Sequence, residues 1–347
     1  MSTLQTVGVG YELTVTDVIE ETPDAKSIVL RKPENSRDLF AYRPGQFLTV
    51  RIPSDRTGHV ARSYSLSSTP HVDDQLKVTV KRTADGYGSN WLCDNVEPGN
   101  SLIVLPPSGR FTPADFTNDF LLFAAGSGIT PIISILKTAL LGSDRSVMLF
   151  YANRDRNSVI FHSELDEYAA KFPDRLTIRY WFDDVHGLPS QEGLAALASD
   201  HLSREVFVCG PVPFMDSVAE SMRSAGVPPE RHHQEVFVSI SGDPFEAPRP
   251  IVDDNPASAV ETVVHLDGES HRFEWASSNT LVDVLLDRGV DVPFSCRSGE
   301  CGSCACTVIS GKVVMENSDI LDPSDVAEGY VLGCQARPVS GPIEIEF

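Results

Sequence analysis

Cys296, Cys301, Cys304 and Cys334 stand in a Cys-x4-Cys-x2-Cys pattern followed by one distant cysteine. Thiolates at that spacing are the plant-type ligand set of a [2Fe-2S] cluster, so the first chemistry offered is one-electron transfer. The run Pro293-Phe-Ser-Cys-Arg-Ser-Gly-Glu-Cys-Gly-Ser-Cys304 carries Gly299 and Gly302. These glycines let backbone wrap a cluster closely and aim amides at sulfur. Two other uses of cysteine compete. Zinc sites usually pair two short knuckles, and only Cys301 and Cys304 form one here. A disulfide framework suits secreted chains, whereas this one opens Met-Ser-Thr-Leu-Gln-Thr with no basic start and no apolar core of signal length. A reducing cytoplasm is the expected setting. Cys306, two residues after Cys304, reads as a strand residue buried for packing, and Cys93 and Cys209 complete the seven cysteines.

A second constellation lies upstream in Arg62-Ser-Tyr64-Ser65-Leu66-Ser67-Ser68, Val80-Lys81-Arg82 and Gly86-Tyr-Gly88-Ser89. A flavin needs an aromatic platform, donors along its ring edge, and cations or small residues that admit amides to its phosphates. Each type is present, although an edge strand with scattered polar residues would read similarly. A third is Ala125-Gly126-Ser127-Gly128-Ile129-Thr130-Pro131, set between a strand and a helix. Glycines there allow dinucleotide phosphates to approach a helix N-terminus, where amides and dipole favour negative charge. Pro131 replaces the third glycine of the Rossmann fingerprint and suits a first helical turn. Cys209-Gly210-Pro211, at the end of a later strand, would face the same crevice in a parallel sheet; otherwise it is a plain strand-to-helix turn.

The elements that must position these residues change character along the chain. Upstream of residue 113, short alternating runs such as Gln75 to Lys81 place Leu76, Val78 and Val80 on one face, with turn signals between runs. An antiparallel barrel is expected over 1–113. Over 114–238, strands at Asp119–Ala125, Ser146–Tyr151, Leu176–Phe182 and Glu205–Cys209 alternate with helices, the first carrying Ile132, Ile135, Leu136 and Leu140. That alternation predicts a parallel, doubly wound sheet. Residues 239–258 are rich in Pro and Asp and read as a linker. The remainder, 259–347, has strands near 260–266 and 271–275, a helix near 280–288, the cysteine loop and closing strands.

At 347 residues the chain can hold two or three cores. It has no run of about twenty apolar residues, so no membrane span is expected. A net charge of -21 argues against nucleic acid as a partner. From residue 259 onward fifteen acidic side chains face five basic ones. That excess is either a solvated surface or a field steering the domain to a basic redox partner.

Taken in order, Arg-x-Tyr-Ser, Gly-x-x-Ser, Gly-Ser-Gly-Ile-Thr-Pro, Cys-Gly-Pro and the cysteine quartet resemble a ferredoxin-NADP reductase-type module fused to a C-terminal ferredoxin. Such fusions are reductase components of bacterial multicomponent oxygenases. Cys304-Ala-Cys-Thr-Val and Gly329-Tyr-Val-Leu-Gly-Cys334-Gln-Ala-Arg-Pro338 are most similar to reductases of 3-ketosteroid 9α-hydroxylases, with phenylacetyl-CoA oxygenase reductases next. The resemblance implies a flavin-binding β-barrel, a Rossmann-like nucleotide domain and a β-grasp ferredoxin domain. It implies that Arg62 holds a flavin phosphate, that Tyr64 and Ser65 meet the ring, and that Gly88 and Ser89 bind pyrophosphate, with Leu66, Lys81 and Gly86 also cofactor-binding. Thr130 and Cys209 would line the nicotinamide pocket, and Gly126, Gly128 and Gly210 would bind the dinucleotide. Glu235 and Phe237 would lie beside the flavin. Tyr64, Ser65, Thr130, Cys209 and Glu235 are then the residues at the reacting atoms. FAD is expected in preference to FMN.

An NADPH site must neutralise a 2′-phosphate. Arg154 and Arg156 follow one strand, but Asp183 and Asp184 follow the next and would repel that group, so NADH is expected over NADPH. The implied function is electron transfer from NADH through FAD and the [2Fe-2S] cluster to a terminal oxygenase. None of the nine histidines needs a catalytic role. A redox-sensing interaction protein, reporting NADH through its linker, is the rival from another class.

Overall fold

The computed structural model describes residues 5–7, 9–32, 39–237, 239–246, 259–266, 268–317, 320–321 and 323–347. Most of the expected linker, 247–258, lies outside the described residues. The chain forms two compact units, one made chiefly of Tyr11–Pro107 and Phe111–Phe237 and the other chiefly of the chain beyond Phe237.

The chain opens with β1 (Gln5–Val7), and the first unit then forms β2 (Gly10–Thr22), β3 (Ala25–Leu30), β4 (Phe47–Ser54), β5 (Gly58–Ser65), β6 (Leu76–Lys81), the helix α1 (Tyr87–Asn95) and β7 (Ser101–Val104). The strands run in the order β5-β4-β7-β2-β3-β6, with β1 on β2. A bridge between Leu66 and Val78 brings the end of β5 onto β6 and closes the barrel. Leu76, Val78 and Val80 point into its core with Leu13, Ile28, Leu48, Val50 and Leu102, as their alternation predicts.

The same unit continues with a wholly parallel sheet of β8 (Phe120–Ala125), β9 (Val147–Asn153), β10 (Leu176–Phe182), β11 (Glu205–Cys209) and β12 (His232–Glu235), ordered β10-β9-β8-β11-β12. Every residue of β8 and β9 is buried, as befits strands covered on both faces. The helices are α2 (Ile129–Gly142), α3 (His162–Lys171), the short α4 (Asp183–His186), α5 (Gln191–Ser199) and α6 (Val212–Ala225). Helix α2 departs from the amphipathic expectation. Besides Ile132, Ile135, Leu136 and Leu140, its polar residues Ser134, Lys137 and Thr138 are also buried, because the barrel-side segment after β5 covers them.

The second unit is a mixed sheet of β13 (Val260–Leu266), β14 (Glu269–Trp275), β15 (Ala305–Met315), β16 (Tyr330–Leu332) and β17 (Ala336–Glu346), ordered β14-β13-β17-β15-β16. Helix α7 (Leu281–Asp287) packs Leu281, Val282, Val284 and Leu285 onto it around Trp275, and α8 (Pro323–Ala327) follows β15. Thr280 caps α7 by accepting from the Asp283 amide. No helix among the described residues is long and apolar enough to cross a membrane.

Candidate redox site

In the second unit the four cysteines converge. All are free thiols, with Cys296 neighbouring Cys301 and Cys334, and Cys334 neighbouring Cys304. Amides at Ser298 and Glu300 donate to Cys296 Sγ at 3.4 and 3.3 Å, and the Cys334 amide donates to Cys304 Sγ at 3.4 Å. Gly302 has φ +70°, a left-handed turn that favours glycine. The thiol donors Cys301 and Cys334 hold Cys296 far below the ordinary thiol range, while that same sharing and burial push Cys301 and Cys334 up. Four sulfurs so confined would ionise together only beside a cationic metal group. Among the described residues no three His, Cys, Asp or Glu side chains gather as they would about one ion. The Cys-x4-Cys-x2-Cys spacing with a distant fourth cysteine is the ligand set of a two-iron cluster, so these residues fit a [2Fe-2S] group. Cys296, Cys304 and Cys334 are buried and Cys301 is the more exposed member. Cys306 sits buried in β15, its thiol 3.7 Å from the Val331 carbonyl and raised well above its ordinary range by burial.

Ser298, Glu300, Ser303 and Gln335 support this nest without having been expected in that role. Glu300 accepts from Ser298 Oγ at 2.6 Å and from Ser241 Oγ at 2.7 Å, which fixes the loop carrying the amides. Gln335 Nε2 donates to Cys334 Sγ at 3.7 Å. Their only sequence signal was adjacency to a ligand.

In the first unit, β5 delivers Arg62, Tyr64 and Ser65, and the start of α1 meets them. A Cβ on Gly88 would lie 2.9 Å from Ile52 Cδ1, 3.0 Å from Arg62 Cγ and 3.7 Å from the Tyr64 hydroxyl. Glycine therefore lets the first turn of α1 approach Arg62 and Tyr64, where its free amides and a guanidinium can meet a pyrophosphate. Burial pushes the Tyr64 phenol up, with Arg62 opposing, so the ring stays neutral. Ser89 spends its hydroxyl on the Thr83 amide at 3.1 Å, closing the turn around Gly86. Its own amide is what remains for a phosphate. Leu66 is buried wholly in the barrel core, and its amide donates to the Gln46 carbonyl at 2.8 Å.

The nucleotide loop is built by close backbone approach. A Cβ on Gly128 would fall 2.1 Å from the Cys209 carbonyl oxygen and 2.7 Å from the Gly210 nitrogen. The Gly126–Gly128 turn thus lies directly on Cys209-Gly210 at the carboxyl ends of β8 and β11. These are neighbouring strands at the centre of the sheet, where a doubly wound fold binds ligands. Thr130 Oγ1 donates to the Ser127 carbonyl at 3.1 Å within the turn. Tyr151, which sequence reasoning did not single out, donates from its hydroxyl to the Gly126 carbonyl at 3.1 Å and accepts from the Ile160 amide at 3.3 Å. Lys81 lies beside this turn. Its Nζ is 3.7 Å from the position of a Gly126 Cβ and 3.9 Å from Asp24.

Barrel and nucleotide sheet meet at Ser65, whose Oγ donates to Glu235 Oε2 at 3.3 Å. Glu235 pairs in register with Cys209 across β11 and β12. Burial pushes the Glu235 carboxyl up to about 8, opposed by the Ser65 hydrogen bond. Burial likewise drives the Cys209 thiol well above its ordinary range, with Glu235 adding to it. Phe237 follows and is 50% exposed, an aromatic surface available to a planar ring. Asp183 and Arg154 stand at adjacent strand ends, joined through the Asp184 amide to the Arg154 carbonyl at 3.1 Å. Arg154 pairs with Asp155 at 2.9 Å and is mostly exposed. Asp183 Oδ1 is buried and has no hydrogen-bond partner among the described residues, an acceptor suited to a ribose hydroxyl.

Comparison with known proteins agrees with this division. Residues 12–112 match an oxidoreductase FAD-binding domain, 122–220 an oxidoreductase NAD-binding domain and 264–339 a 2Fe-2S iron-sulfur cluster binding domain. The chain is 59% identical over 337 residues to the ferredoxin reductase component of 3-ketosteroid-9-alpha-monooxygenase of Rhodococcus rhodochrous, covering 96% of each. It is 31% identical to one of the polypeptides of the 1,2-phenylacetyl-CoA epoxidase of Escherichia coli, covering 97% of each. Among solved structures it resembles phthalate dioxygenase reductase, described as modular for electron transfer from pyridine nucleotides to [2Fe-2S], with TM-score 0.58, 25% identity, and 97% of this chain and 98% of that one covered. FAD, NAD and [2Fe-2S] are the cofactors of these domains. The chain is a flavin and iron-sulfur oxidoreductase that belongs to the family of oxygenase ferredoxin reductase components, alongside those of the 3-ketosteroid 9α-monooxygenases.

Proposed function

We propose that this chain draws electrons from NADH and delivers them to the terminal oxygenase of a 3-ketosteroid 9α-monooxygenase in a reducing cytoplasm. When bound, FAD would supply hydride acceptance and release of electrons one at a time, and a [2Fe-2S] cluster held by Cys296, Cys301, Cys304 and Cys334 would supply one-electron carriage. The supporting observation is the meeting of Ser65, Glu235, Cys209 and the Gly126–Thr130 turn at one junction of the first unit. That junction brings a flavin-side strand and a nucleotide-side loop together, as hydride transfer requires.

The protein's own part is placement. Arg62 and the first turn of α1 would hold the flavin's phosphates, and Tyr64 and Phe237 would lie beside its ring. Gly128 and Gly210 admit the nicotinamide beside Thr130 and Cys209. Glu235, its carboxyl raised to about 8, and Ser65, whose Oγ donates to Glu235 Oε2, form a pair that could exchange a proton at this junction. Asp183 accepts from the adenosine ribose and disfavours a 2′-phosphate, which selects NADH. Cys296, Cys301, Cys304 and Cys334 hold the cluster, with Cys301 on the side open to an acceptor.

The test is reconstitution: the FAD- and cluster-loaded protein is mixed with NADH, a 3-ketosteroid 9α-monooxygenase oxygenase component and its steroid. NADH consumption coupled to hydroxylated steroid is expected. Electron delivery to cytochrome c but not to that oxygenase would refute the ketosteroid assignment.

A further inference from the structure

Lys137 is a charged side chain with 3% exposure, buried in α2 away from every residue placed at the reacting atoms. Its Nζ pairs with Asp73 Oδ2 and with Glu164 Oε1, both at 3.0 Å, and donates to the Ser67 carbonyl at 3.4 Å. Glu164 in turn takes Lys77 Nζ at 3.1 Å, so the charges alternate Asp73, Lys137, Glu164, Lys77. Burial pulls the Lys137 ammonium down, but Glu164 and Asp73 outweigh it and hold it charged. On the same face of α2, Ser134 Oγ donates to the Ser68 carbonyl at 2.6 Å, and Thr138 Oγ1 meets Thr69 Oγ1 at 2.6 Å.

Each partner on the barrel side belongs to one stretch, Ser67 to Asp73, which begins two residues after Ser65. That stretch is itself tied down. The Tyr42 hydroxyl donates to Ser68 Oγ at 2.8 Å, and Asp73 Oδ2 accepts from the Thr69 amide at 2.7 Å. The other end of the connection is α2, whose first turn carries Thr130 and lies about 10 Å along the helix from Lys137. A buried ion pair contributes little net stability, since desolvation offsets its attraction; its best-attested use is to fix one arrangement among several.

We propose that Lys137, with Ser134 and Thr138, is a positioning strut that sets the distance and angle between the flavin-contacting end of β5 and the nucleotide-binding start of α2. Lys137 is then a positioning residue for hydride transfer. The inference rests on the NADH-to-flavin reading above. Near-attack geometry is steep, and a misplacement of about 1 Å can cost about a hundredfold in rate. Asp73 and Glu164 retain 34% and 26% side-chain exposure, so removing Lys137 leaves carboxylates that water can reach.

The experiment compares wild type, Lys137→Met and Ser134→Ala as FAD- and cluster-loaded proteins, reading flavin reduction by NADH in anaerobic stopped flow and amide hydrogen exchange. For Lys137→Met the limiting rate of flavin reduction should fall about tenfold or more, with the NADH dissociation constant within about twofold. Amides of residues 67–73 should exchange faster while those of β8 and β9 do not. Ser134→Ala should move both readouts the same way by a smaller factor. A wild-type limiting rate in Lys137→Met would overturn the proposal. So would equal losses of rate and NADH affinity with unchanged exchange. If Lys137→Met does not load its cofactors, Ser134→Ala decides, and wild-type rate and exchange there would overturn it. Failure of NADH to reduce the wild-type flavin would instead sink the NADH reading and leave a strut without that role.

Discussion

Ser65 Oγ donates to Glu235 Oε2 across 3.3 Å, joining the last residue of β5 to the last residue of β12. One contact therefore ties the flavin-side barrel to the edge strand of the nucleotide sheet, and it does so through a carboxyl whose affinity for a proton is raised to about 8. A group whose folded pKa exceeds its unfolded value favours the folded state at low pH, and that contribution is lost as pH rises through the folded pKa. Between about pH 4.5 and 8 the unfolded chain ionises Glu235 while the folded chain resists. The melting temperature of the loaded protein should accordingly fall across that window more steeply in wild type than in Glu235→Gln. Parallel curves for the two proteins would show that the carboxyl is not held neutral.

Cys301→Ser should cut electron delivery to a one-electron protein acceptor by about a hundredfold or more, while NADH-dependent reduction of a small dye stays within about twofold. Both rates are measured on folded, flavin-loaded protein. Loss of dye reduction as well would mean that the electrons do not pass the flavin first.

Gly128→Ala places a methyl 2.1 Å from the Cys209 carbonyl oxygen, a distance that no side-chain rotation relieves. The turn must move off β11. NADH should bind at least about tenfold more weakly, and the protein should lose about 1–3 kcal/mol of stability from overpacking. Flavin content should be unchanged. Calorimetry and NADH titration check the two effects separately, and unaltered NADH affinity would remove Cys209-Gly210 from the pocket.

Asp183→Asn keeps the size of the side chain and removes the charge. Its carboxyl is already raised by burial and by Asp184, which marks an anionic environment. The ratio of kcat/KM for NADPH to that for NADH should rise about tenfold. An unchanged ratio would place the adenosine ribose elsewhere.

Local chemistry was legible in the sequence, and coverage was not. The cysteine spacing 296, 301, 304 and the glycine turn at 126–128 encode their chemistry within a few residues, because one loop supplies most of each site. The edge strand Leu176–Phe182 and the buried strand Glu205–Cys209 were readable to their end residues from apolar residues between turn signals. Lys137 was not, since in isolation it occupies the polar side of a helix carrying Ile132, Ile135, Leu136 and Leu140. Only the segment after β5 makes that side a buried interface. Tyr151 was similarly hidden, because a hydroxyl at a strand's end shows its purpose only when the Gly126 carbonyl arrives 3.1 Å away. Lys81 and Leu66 carried the right composition for a flavin site, yet one lies beside Gly126 and the other points into the barrel core.

The central claim is a serial path from NADH through flavin to the iron-sulfur cluster in a single chain. Anaerobic titration with NADH, followed by visible absorption and cluster electron paramagnetic resonance, tests it most directly. Roughly three electrons per chain should be taken up, two by flavin and one by the cluster, with the cluster signal appearing as the flavin bleaches. A flavin that bleaches fully while the cluster stays oxidised would contradict the account.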